Sequence, residues 1–98
     1  MYYLFVFTKT SDTVKAYEKA CALYSKQNVT IMPIPNQIDE SCGLAVSIHD
    51  LDICEQVRFL AGLDTPASLF KVDVDIDKKG SKGIQAAVKV GQNQIGAP

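Results

Sequence analysis

Cys42 is the residue best placed for chemistry. In the stretch NQIDESCGLAVSI, residues 36–48, it stands between an acidic polar run and an apolar, strand-like run, with Gly43 directly after it. A cysteine attacks, or carries a sulfur atom, only as its thiolate, so the chemical reading needs an accessible sulfur and surroundings that favour the anion. Gly43 helps with access, because a residue without a side chain lets a substrate or partner come close. Asp39 and Glu40 act the other way, since nearby negative charge disfavours a thiolate. The competing reading is structural, with Cys42 a small buried hydrophobe at the mouth of a strand. On the residues alone the structural reading leads.

Other constellations are weaker. A Cys/His pair would use His49, the one histidine, but seven extended residues span on the order of 20 Å, beyond hydrogen-bond reach within one chain. His49 is expected to be exposed at the entrance to a helix. Cys21, Cys42, Cys54 and His49 include no CxxC-type pair, so no metal is expected. The carboxylates at 39–40 and 73–75 read as solubilising groups on a turn and on a wet strand face. GSKG, residues 80–83, is too short for a phosphate-binding loop.

Composition narrows the classes further. At 98 residues the chain suits one domain, and 47% apolar with 21% charged residues is ordinary for a globular protein. A net charge of −1 without a basic stripe argues against nucleic acid as a partner. No apolar run approaches the roughly 18–20 residues that cross a bilayer, and MYYLFVF lacks the features of a signal peptide, so no membrane partner is expected. Three scattered cysteines are not a disulfide framework, which points to a reducing, cytoplasmic setting.

The elements that must position Cys42 follow from hydrophobic period. Residues 2–8, YYLFVFT, read as a central strand. Val14, Tyr17, Cys21 and Tyr24 recur at helical spacing, giving a helix over 12–27 that is capped by Ser11 or Asp12 and ended by a left-handed Asn28. VTIMPIP is a second strand, whose far end is expected to be an edge or to leave the sheet because Pro33 and Pro35 cannot donate to a ladder. GLAVSI is a third. Asp50 or Asp52 caps a helix over 51–61 with Ile53, Val57 and Leu60 inward, Cys54 flanking them, and Gly62 as its stop. SLFKVDVDI turns Phe70, Val72, Val74 and Ile76 to one face. The order βαββαβ predicts an α+β, ferredoxin-like sandwich over 1–76, two helices on one face of a four-stranded antiparallel sheet. Residues 77–98 lose regular patterning and are expected to form a flexible C-terminal tail, in which IQAAVKV could pair with the strand edge of a partner chain.

YYLFVFTKTSDTVKAYEKACAL, then VTIMPIPNQIDESCGLAVSI, then the acid-capped helix and closing strand resemble the small bacterial family described as putative sulfur/selenium carrier-like, over roughly residues 2–76. The most specific piece is SCGLA after a strand ending in PIP. The resemblance implies a carrier rather than a catalyst. In it Cys42, between Ser41 and Gly43, holds a persulfide-type or selenium-derived group without a cofactor and passes it on. A cysteine desulfurase or another sulfur-relay protein is the implied partner. This chain departs from the pattern where a basic residue would follow the Pro-containing strand, because Asn36 and Gln37 stand there. The rival is a non-enzymatic module, a homo-oligomer or partner-docking sheet, in which Cys42 is structural.

Overall fold

Strand β1 (Tyr2–Phe7) is followed by helix α1 (Thr10–Tyr24) and a 3-10 turn over Lys26–Asn28. Then come β2 (Val29–Pro33), β3 (Leu44–Ile48), helix α2 (Ile53–Ala61), β4 (Ala67–Ile76) and β5 (Lys82–Gln92). The computed structural model describes residues 2–34, 43–76 and 82–93. The fold is α+β. Its five strands form one antiparallel sheet in the order β2-β3-β1-β4-β5.

β1 lies in the middle of that sheet and buries both faces, as its continuous apolar run demands. Phe5 and Phe7 point into the helix-covered core with Ala16, Ala20, Val46, Ile48, Phe59, Leu60 and Leu69. Leu4 points the other way, into a smaller cluster with Ile34, Ala45 and Val72 that contains no helical residue. Both helices therefore cover the same face. β2 is an edge, in keeping with Pro33 at its end.

The sheet has five strands rather than the expected four, because residues 82–92 of the supposed tail pair with β4 along its length. Two features hold β5 in place. The Asn93 side chain accepts from the Ala67 N–H (3.0 Å) and donates to the Thr65 carbonyl (2.8 Å), while its backbone N–H donates to the Ala67 carbonyl (3.2 Å). Gly91 lets the strand pass close beneath α2, where a Cβ would come within 3.2 Å of Leu60 Cδ2. β4 also buries more than one face at its start, with Leu69 under the helices and Val72 in the second cluster.

Both helices are rotated from the expected faces. α1 buries Thr13, Ala16 and Ala20, with Tyr17, Cys21 and Tyr24 packed at the flank and Val14 exposed. Small residues bring its backbone down onto the sheet. α2 buries Gln56, Phe59 and Leu60, leaving Ile53 and Val57 exposed. Phe59 sets this rotation, since its ring meets Phe5 and Tyr24 edge-on at centroid distances of 5.2 and 5.8 Å. Cys54 is consequently exposed and not core-facing.

The ends of α1 differ from expectation as well. Only Thr8 and Lys9 separate β1 from α1, so the helix begins at Thr10 with Lys9 in the capping position and no side-chain cap. It ends at Ser25, whose φ is 82°. Asn28 contributes through its side chain instead, donating to the Tyr24 carbonyl (3.3 Å). α2 matches expectation at both ends. Asp52 accepts from the Glu55 N–H (2.9 Å), and Gly62 follows the last turn.

Candidate functional site

β1 ends, α1 begins, β2 leaves the sheet and β3 enters it at one common edge of the molecule. A cavity of about 460 Å³ opens there. Phe7 and Thr8 of the β1 end line it together with Lys9, Thr10 and Thr13 of the helix start and with Ile34 and Gly43, which flank β2 and β3. The hairpin between β2 and β3 extends one pair beyond the strands, because the Ile34 N–H donates to the Gly43 carbonyl (3.0 Å). That bond fixes Gly43 at the cavity wall.

The helix start is coupled to the same place. Thr13, 1% exposed, donates its hydroxyl to the Lys9 carbonyl (3.2 Å) and lies 3.4 Å from the Leu44 carbonyl, one residue beyond Gly43. The first N–H groups of an α-helix have no acceptor inside the helix. Among the described residues no side chain caps them, and the capping position carries an exposed cation, Lys9. The helix N-terminus and Lys9 bring positive charge to this rim, of the kind that lowers thiol pKa values, and Asp12 in the first turn of α1 opposes it.

Of the residues singled out from the sequence, Gly43 lines this cavity, whereas Ser41 and Cys42 lie outside the described residues, as do Asp39 and Glu40. His49 sits at the opposite end of β3. There its ring nitrogen Nε2 is 3.1 Å from Thr30 Oγ1, and it borders a separate cavity of about 280 Å³ with Tyr2, Tyr3, Asp50 and Gln56. Burial raises the Tyr2 hydroxyl pKa above its ordinary value. Cys21 is half-buried in the flank of α1 and engaged by Tyr17, whose own pKa is raised, first by that side-chain hydrogen bond and then by repulsion from the Cys21 charge. No group of three or more metal-ligating side chains is assembled among the described residues, and no described helix is long and apolar enough to cross a membrane.

Lys9, Thr10 and Thr13 are the site residues that sequence reasoning missed. The available signal was the two-residue step from strand to helix in VFTKTSD, which forces the start of α1 against the end of the sheet.

The profile of the family described as putative Se/S carrier protein-like matches residues 2–63. The chain belongs to this family. No curated protein and no solved structure matches the chain. The matched segment runs from the first residue of β1 to just past α2 and contains the cavity residues named above, whereas β4, whose Ser68 also lines the cavity, and β5 lie beyond it.

Proposed function

We propose that the protein carries sulfur or selenium on Cys42 and delivers it to a partner protein. The observation that supports this most is the place of Gly43. It lines a cavity whose rim is the uncapped start of α1 and Lys9, and peptide geometry keeps the Cα of Cys42 about 3.8 Å from that of Gly43. A thiolate there gains from the helix terminus and the lysine, which offset Asp39 and Glu40 and stand in for the basic residue absent after β2.

The transfer is an exchange at sulfur. The Cys42 thiolate attacks the outer sulfur of a donor persulfide. A bond forms between the two sulfurs, the donor's own S–S bond breaks, and its electron pair leaves on the donor thiolate. Delivery repeats the step with an acceptor thiolate as attacker. No oxidant or cofactor is consumed, so the protein acts as a carrier, with a cysteine desulfurase or another sulfur-relay protein as donor. A reducing compartment such as the cytoplasm would keep the unloaded Cys42 as the free thiol that the next loading step needs. We read β1 through β4 as ferredoxin-like with β5 added, a reading supported by the strand order β2-β3-β1-β4 and the shared helical face.

Incubation with a cysteine desulfurase and cysteine, followed by intact-mass measurement, tests the proposal. One added sulfur is expected on the wild type, on Cys21→Ser and on Cys54→Ser, and none on Cys42→Ser. Loading that survives Cys42→Ser would overturn it. So would a Cys42 thiol, assayed in a Cys54→Ser background to remove the exposed competitor, that reacts only well above pH ~8.5.

A further inference from the structure

We propose that the cavity at the far end of β3 binds a primary ammonium group, carried by a small amine or by a lysine side chain, between the Asp50 carboxylate and the tyrosines at the start of β1, with Gln56 at its inner wall. The inference is independent of the carrier reading, since this cavity shares no lining residue with the one beside Gly43.

β1 starts and β3 ends at this side of the sheet. Tyr2 and Tyr3 both line the cavity. Successive strand residues point to opposite faces, so the cavity wraps the open end of β1 instead of lying on one face. Its volume, about 280 Å³, falls just below the roughly 300–1,000 Å³ of pockets for drug-sized ligands. The occupant is therefore a small molecule or a single side chain. The lining selects its charge. Asp50 is a carboxylate, and neither lysine nor arginine lines the cavity. Tyrosine rings attract cations through their faces. Lys71, the cross-strand neighbour of Tyr3, is a cation on the same side of the sheet and opposes this preference, but it is not part of the lining. Asp50 is also held at φ 59°, a left-handed conformation that aspartate tolerates better than most residues and that collects at ligand-binding positions.

Gln56 supplies an independent sign. It lines the cavity, is 1% exposed, and has its amide only half engaged. Nε2 donates to the Ile48 carbonyl (2.9 Å) and the Leu51 carbonyl (3.3 Å), which fixes the orientation of the amide, while Oε1 accepts from no group among the described residues. Buried acceptors are nearly always satisfied, by protein or by a bound species. An ammonium carries three donors and no acceptor, so one group can serve both Oε1 and the Asp50 carboxylate. An anion or an acceptor-only ligand would meet Asp50 unfavourably and leave Oε1 unmet. Oε1 is covered in this structure. The ligand therefore reaches it by displacing a neighbouring side chain, and binding must alter the surroundings of the Gln56 amide.

Heteronuclear NMR of the full chain, titrated with butylammonium chloride at fixed pH and ionic strength, tests the proposal. Saturable shifts are expected at the backbone amides of residues 2–3 and 48–51 and at the Gln56 side-chain amide, with half-saturation on the order of 1–10 mM for so small a ligand. Butanol, which has the same chain without the charge, should bind about tenfold more weakly. Asp50→Asn keeps a residue suited to the left-handed conformation and should weaken butylammonium roughly three- to fivefold. Asp64→Asn, in a different cavity, should change nothing. Nα-acetyl-lysine methylamide separates the two sources: tighter binding than butylammonium assigns the site to a partner's lysine, and weaker binding assigns it to a free amine. Shifts that stay linear or spread over the surface, equal binding of butanol, or equal binding by Asp50→Asn would each overturn the proposal, as would a Gln56 side-chain amide that does not move. Should Asp50→Asn lose its folded spectrum, the butanol comparison and the Gln56 signal decide.

Discussion

The two helices of this protein begin in opposite ways. α2 starts closed. Asp52 accepts from the Glu55 N–H, and Gln56, 1% exposed, donates its amide to the carbonyls of Ile48 (2.9 Å) and Leu51 (3.3 Å), stitching the β3–α2 connection to the helix. α1 starts open. It has a lysine where a cap would be, no side chain among the described residues on its first N–H groups, and a cavity beside it. An uncapped start forgoes about 1 kcal/mol that a serine or aspartate would supply. The start of α1 is thus the less stabilised of the two, and it lies on the cavity that Gly43 lines.

The largest test of this contrast is on the closed side. Gln56→Ala removes two hydrogen bonds, orphans two carbonyls and leaves a void, and is expected to cost about 2–4 kcal/mol in a urea melt. A loss under about 0.5 kcal/mol would mean that the start of α2 is held by something else. Asp52→Ala should cost less, about 1 kcal/mol, as for other helix caps. It should leave the thiol reactivity of Cys42 unchanged, because Asp52 lies beyond the far end of β3 from the cavity. The smallest effect, and the most discriminating, is expected from Lys9→Asp. Supplying the missing cap should stabilise the protein by about 0.5–1 kcal/mol. The same change puts negative charge at the cavity rim and should slow alkylation of Cys42 at neutral pH by roughly two- to fivefold, the equivalent of about 0.5–1 kcal/mol. A variant that is both more stable and equally reactive would show that the start of α1 does not act on the thiol.

Local chemistry was legible wherever a residue does its work on its near neighbours. Asp52 caps α2 because its carboxylate reaches an N–H three residues on, and Gly62 follows the last helical turn as expected. Pro33 confines β2 to an edge through a missing donor on its own nitrogen. β1 is central because an unbroken apolar run needs cover on both faces. The resemblance carried by SCGLA likewise depends only on adjacent residues, and the family match bears it out over residues 2–63.

What failed were inferences whose outcome depends on a distant partner. In α2, spacing alone allowed Ile53, Val57 and Leu60 to point inward, but the helix turned to seat Phe59 between Phe5 and Tyr24, so that Leu60 is buried while Ile53, Val57 and Cys54 are exposed. Asn93 reads as one more polar residue in a tail until it meets Thr65 and Ala67, from which nearly thirty residues of chain separate it.

The sequence by itself determined the types of the elements through β4, a cap for α2 at Asp50 or Asp52 and its stop at Gly62, an edge at Pro33 and the family, because each rests on covalent geometry, hydrophobic period or a contiguous motif. Only the tertiary structure decided that residues 82–92 complete the sheet, which helix faces are buried, and that Lys9 and the bare start of α1 share a cavity with Gly43. Those outcomes depend on long-range packing and on which distant donors and acceptors find one another, and no local pattern encodes either.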